Sequence, residues 1–122
     1  MSTLEVSNLN DGTTTVATTY ITNGSAKATV IYDGSGTASI TDSFNISSLT
    51  DDATGKHTST LTSSMASSIT PIGISYNTNG SNNYNMSTAD MTASTVQLRG
   101  IQWGVAFYDD PRASFARFGD LA

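Results

Sequence analysis

Ala26-Lys27-Ala28-Thr29-Val30-Ile31-Tyr32, closed by Asp33-Gly34-Ser35-Gly36, is the stretch on which the fold turns. Its period is two: Ala26, Ala28, Val30 and Tyr32 fall on one face, Lys27, Thr29 and Ile31 on the other, the alternation of a half-buried strand. The Asp-Gly-Ser-Gly run supplies the residues a tight reversal needs, so Thr37 to Phe44, centred on Ile40, reads as the return strand of a hairpin. Working outward, Asn45 to Thr50 with Ile46 and Leu49 predicts a third strand. It ends at Asp51-Asp52-Ala53-Thr54-Gly55, where Gly55 can take a left-handed conformation. Lys56 to Thr62 follows, with His57, Ser59 and Leu61 alternating against Thr58 and Thr60.

Beyond a small-residue connection, Ser63 to Ser68, a strand is predicted over Ile69 to Tyr76, with Pro71 near its start or on an edge. Asn77 to Asn85 holds five asparagines and Gly80 and reads as an exposed loop. Two last strands are predicted near Met86 to Met91 and over Ser94 to Tyr108, the latter carrying Val96, Leu98, Ile101, Trp103, Val105 and Phe107. The offset between Leu98 and Ile101 implies a bulge or break at Gly100. These short strands at about ten-residue spacing predict an all-β fold, an antiparallel β-sandwich or jelly roll spanning residues 26–108. Residues 1–25 read as an extended N-terminal arm around the turn Asn10-Asp11-Gly12, and residues 109–122 as a C-terminal docking tail or short helix anchored by Phe115 and Phe118, with an intramolecular lid over the sandwich as the alternative.

Composition narrows the function. The 122 residues include 23 Leu, Ile, Val and Phe, a thin supply for one core, while the net charge is only −5. Low hydrophobicity without high charge favours a folded domain that leans on partner subunits over a disordered chain. Five cations against ten carboxylates argue against nucleic acid and anionic membranes as partners. The chain has no cysteine, which removes disulfides and thiolate metal ligands. It shows no secretory pattern and no membrane-spanning run, so no membrane insertion is expected.

Catalytic chemistry finds little footing. His57 is the single histidine and sits between Lys56 and Thr58 without a nucleophile elbow, so a surface or turn-flanking role is expected. Asp51-Asp52 and Asp109-Asp110 are adjacent pairs; neighbours on a strand face opposite ways and cannot flank one glycosidic bond. Neither Asp33-Gly34-Ser35-Gly36 nor the Asp51 loop has calcium-loop spacing, and no cofactor or metal is expected. Asn23, Asn45, Asn79 and Asn85 head Asn-x-Ser triplets, which so Ser-rich a chain produces by chance. Tyr84, with Asn82 and Asn83 beside it in a polar loop, is the candidate ligand or partner contact. Leu4, Val6, Trp103, Phe115 and Phe118 are the candidate subunit-interface anchors; Trp103, like Tyr76, Tyr84 and Tyr108, could instead stack on a sugar ring, and a core or interface place is the reading preferred for it.

The stretch from Ala26 through Ser43-Phe44-Asn45-Ile46-Ser47-Ser48 to the Asp-rich turn ending at Gly55, and onward to Thr62, resembles a module recurrent in tail-fibre and related virion proteins of marine tailed phages. Met1-Ser2-Thr3-Leu4-Glu5-Val6 is similar to the opening of many of them. The likeness covers about a third of the chain. It departs after Gly55, where that module continues with an aromatic and apolar run and this chain has the polar Lys56-His57-Thr58-Ser59-Thr60. The resemblance implies a non-enzymatic virion part on the exterior of the particle, made in the host cytoplasm, commonly a homotrimer in contact with other virion proteins. Host surface polysaccharide is a partner it allows. A tail-fibre subunit and a capsid decoration protein stay open as alternatives, with a polysaccharide-degrading tail enzyme behind them.

Overall fold

A computed structural model describes residues 2–76, 84–102 and 106–122. The elements in chain order are β1 (Asn8–Asn10), β2 (Thr15–Ala17), α1 (Thr18–Gly24), β3 (Ala26–Asp33), β4 (Ser39–Phe44), β5 (Ile46–Ala53), β6 (Lys56–Leu61), β7 (Ile72–Tyr76), β8 (Tyr84–Met91), β9 (Thr95–Gln102), β10 (Ala106–Phe107) and β11 (Ala113–Phe118). Two antiparallel sheets hold the core. The first has the order β4-β3-β11-β7; in the second, β9 is flanked by β8 on one side and by β6, then β5, on the other, with β10 also paired to β9. The expected all-β sandwich is what forms.

Alternation decides which side chains meet between the sheets. β3 turns Ala28, Val30 and Tyr32 inward, β11 Ala113 and Phe115, β6 Leu61, and β9 Val96 and Leu98, with Met65 closing one end. Ile46, Leu49, Ile72, Ile74, Met86 and Met91 pack around this centre half-buried. The apolar supply is as thin as the composition implies, and polar side chains fill the remainder: His57, Ser59, Asp110 and Arg117 are all buried.

The chain crosses between sheets at Asn45, which has a φ of 58°. Its amide nitrogen donates to the carbonyls of Lys27 (2.9 Å) and Ser63 (3.0 Å), and its side-chain oxygen accepts from the Ser63 amide (2.7 Å). An asparagine tolerates the left-handed region and can satisfy backbone groups of both sheets, which explains why Phe44-Asn45-Ile46 marks the corner. Asn45→Ala should lower stability by about 2 kcal/mol in urea unfolding, and Asn45→Gly should recover only the backbone part of that loss. Equal stability of all three proteins would contradict this role.

Three expectations need correction. The tail is no docking segment: β11 is a central strand, paired antiparallel with β3 (Phe115 opposite Val30) and with β7 (Phe115 opposite Ile74). Phe115 is therefore buried in its own chain's core, while Phe118 is half-buried. Arg117 hides the alternation Ala113, Phe115, Arg117, since an arginine in an inward register looks like a surface residue. Second, β9 runs unbroken through Gly100, with Met86 opposite Gly100 and Asn85 opposite Ile101. Ile101 simply lies on the outer face; the irregularity falls on β8, between Thr88 and Asp90.

Third, the N-terminal arm is not extended throughout. β1 and β2 form a hairpin whose turn is set by Asp11, its carboxylate accepting the amides of Thr13 (2.9 Å) and Thr14 (2.7 Å), and α1 follows without a side-chain cap. These bonds hold the Asp11 carboxyl below its ordinary range. The three elements pack on one another, and Leu4, Val6, Leu9, Val16, Tyr20 and Ile21 all remain exposed.

Candidate functional site

Most chemistry-bearing side chains gather at the end of the sandwich where the β3–β4 and β5–β6 turns meet the segment before β11. His57 is buried there, contrary to the surface role expected of it, because its place in the His57, Ser59, Leu61 alternation points it inward. Its ring lies 5.3 Å from that of Tyr32, tilted by 46°. Gly34 approaches so closely that a Cβ there would fall 2.7 Å from His57 Cε1, and the Gly34 amide donates to the Asp110 carbonyl (2.8 Å). His57 Nε2 makes no hydrogen bond, its nearest carboxylate oxygen being Asp51 Oδ1 at 3.9 Å. The imidazole is packed in the core beside the Tyr32 ring.

The acidic pairs separate as adjacency requires. Asp51 stays exposed on the side of His57, 3.9 Å from its Nε2, whereas Asp52 accepts from Thr58 Oγ1 (2.5 Å) and Gln97 Nε2 (3.0 Å) on the outer face. Asp109 accepts the Gly55 amide, and Asp110 accepts the Arg112 amide (2.7 Å). Among the described residues no three His, Asp or Glu side chains form a metal-ligand set.

Burial pushes the Asp110 carboxyl above its ordinary value; the Arg112 amide opposes this and the nearby Asp33 reinforces it. Burial, and then the Asp110 charge, push the Tyr32 hydroxyl up. Asp33 is held low by the Ser35 hydroxyl and amide. A carboxyl raised on folding binds more protons native than unfolded, so its contribution to stability falls as pH rises above the unfolded value near 4. Asp110→Asn keeps the acceptor for Arg112 and removes that titration. The variant should gain on the wild type in urea unfolding between pH 4 and pH 7, and parallel pH profiles would contradict the assignment.

On the outer face of the second sheet a different cluster forms. Gly55 (φ 70°) turns the chain from β5 to β6 and accepts the Gly100 amide (2.8 Å), and Gly100 in turn accepts from Tyr108 (3.1 Å). This close backbone contact draws β10 against β9 and places Phe107 beside two cations. Lys56 Nζ lies 5.3 Å and Arg99 Cζ 5.7 Å from the centre of the Phe107 ring, which is 46% exposed. Lys56 and Arg99 stand directly opposite each other in the β6–β9 register.

Of the residues singled out by sequence, Leu4 and Val6 sit exposed in the arm. Tyr84 opens β8 opposite Gln102. Asn82, Asn83 and Trp103 lie outside the described residues. The Lys56, Arg99 and Phe107 group escaped sequence reasoning because only strand register unites residues so far apart in the chain; the signal at hand was that Lys56 shares the polar face of β6 with Thr58 and Thr60. No family model, curated protein or solved structure matches the chain.

Proposed function

We propose that the chain is a non-enzymatic structural module of a tailed-phage particle, a fibre-like attachment subunit that assembles with copies of itself, as a homotrimer, on the particle exterior. One observation carries the reading: uncovered apolar side chains cluster in the arm and on the outer face of the first sheet. The arm exposes Leu4, Val6, Leu9, Val16, Tyr20 and Ile21, and the outer face of the first sheet exposes Ile31 and Phe44. There Thr29, Ile31, Gly73, Ser75, Ala116 and Phe118 line a shallow groove of about 350 Å³. Clustered apolar surface on a small domain marks an interaction face, and closed symmetric assembly of identical chains is the commonest way to cover it.

The resemblance noted in the sequence adds weight, because the residues that carry it build β3 to β6, the turns between them and the corner at Asn45. That stretch supplies strands to both sheets and so serves as scaffold. Electron imaging of intact particles labelled with an antibody to this chain tests the proposal. Label confined to the tail or its fibres is expected. Label spread evenly over the head would replace the fibre role by capsid decoration, and unlabelled particles would overturn a virion role.

A further inference from the structure

We propose that Lys56, Arg99 and Phe107 form a binding site for an anionic sugar, a pyranose ring bearing a carboxylate or sulfate group. The inference deepens the attachment role and rests on that reading for its biological setting. Like charges placed directly opposite on antiparallel strands destabilise the pair, yet Lys56 and Arg99 occupy such positions. All ten carboxylates lie among the described residues, and none comes within 4.0 Å of either cation, although acids outnumber bases two to one.

Arg99 Nε is shielded from water and makes no hydrogen bond, a cost that an incoming acceptor would remove. The Asp52 carboxylate on the same face is already taken up by Thr58 and Gln97. An ammonium beside a guanidinium suits a compact anion, the guanidinium fork matching two of its oxygens. The half-exposed Phe107 ring adds an apolar surface for the C–H face of a sugar. Two cations in a chain of net charge −5 are too few to follow a nucleic-acid backbone or an anionic bilayer. The glycines hold the site in shape, since a Cβ at Gly55 would fall 2.9 Å from Phe107 Cβ.

Titration calorimetry with the full chain against alginate, dextran sulfate and neutral dextran tests the site and tells carboxylate from sulfate. Binding to one or both anionic polymers and none to dextran is expected. Lys56→Gln and Arg99→Gln should each weaken it about tenfold, the loss of one charge-assisted hydrogen bond. Arg112→Gln, which removes one cation elsewhere, should change it less than about twofold, as a localised site requires. Thermal melts of the two site variants should match or exceed the wild type, because a like-charge pair is relieved; lowered melting temperatures would mark a structural role and overturn the proposal.

Absence of binding to both anionic polymers, or an equal loss in Arg112→Gln, would also overturn it. So would Lys56→Gln or Arg99→Gln dissociating an oligomer while polymer binding persists, since the cations would then hold a neighbouring copy's carboxylate. Antibody labelling of particles judges the attachment role independently, so failure of either leaves the other standing.

Discussion

Arg117→Ala is expected to lower the stability of the chain by about 3 to 5 kcal/mol, the largest effect of any single substitution at a polar residue. The guanidinium is fully buried in β11, and no carboxylate partners it. Instead Nε donates to Thr70 Oγ1 (2.7 Å), Nη1 to the Thr95 carbonyl (3.4 Å), and Nη2 to the carbonyls of Ser67 (3.3 Å) and Ser68 (3.4 Å). One side chain thereby pins the connection between β6 and β7 over the end of the sandwich. The same end is closed by the Met65–Leu121 bridge and by the Ala66 and Ala122 amides, which bond to Asp120 and Ser64.

Burial alone pulls the Arg117 pKa down, but an arginine starts so high that it stays protonated, and its charge depends on these neutral acceptors. Alanine would strand them and leave a void. Lysine would keep the charge without the planar fork and should recover less than half of the loss, whereas methionine, which fills volume but donates nothing, should recover only the packing part. Urea unfolding at one fixed protein concentration measures all three. A loss below about 1 kcal/mol for alanine would show that the network is idle.

Gly55→Ala should cost about 3 to 4 kcal/mol through two additive causes. The backbone sits at φ 70°, where an L side chain is strained, and a Cβ would fall 2.6 Å from the Gly100 carbonyl and 2.7 Å from the Tyr108 amide nitrogen. Both neighbours are backbone atoms in strand or strand-end positions and cannot step aside cheaply. Gly36→Ala is the control: its φ of 64° is similar, but a Cβ there would meet nothing within 4 Å. That variant should lose only about 1 kcal/mol, the conformational cost alone. Equal losses in the two variants would refute the close packing of the β5–β6 turn on β9.

The contrast shows what the sequence could convey. Alternation in Ala26 to Tyr32 and in Lys56 to Leu61 marks β3 and β6, and Asp51 to Gly55 announces its turn, because each signal is contained in a few consecutive residues. β11 escaped notice because its third inward position is Arg117, whose acceptors come from residues 67, 68, 70 and 95. α1 gives no local sign, being a single short element of β-branched Thr18, Thr19, Ile21 and Thr22 with no capping side chain. The Lys56, Arg99 and Phe107 cluster depends on which strand lies beside which, and composition alone cannot reveal that.

The thin core and the uncovered arm together make self-association the centre of this account. Sedimentation equilibrium of the purified chain at micromolar concentration tests it most directly. Three times the 12.7 kDa chain mass is predicted, with dissociation and loss of cooperative unfolding on dilution. A species of 12.7 kDa that unfolds cooperatively, with a midpoint independent of concentration, would contradict it.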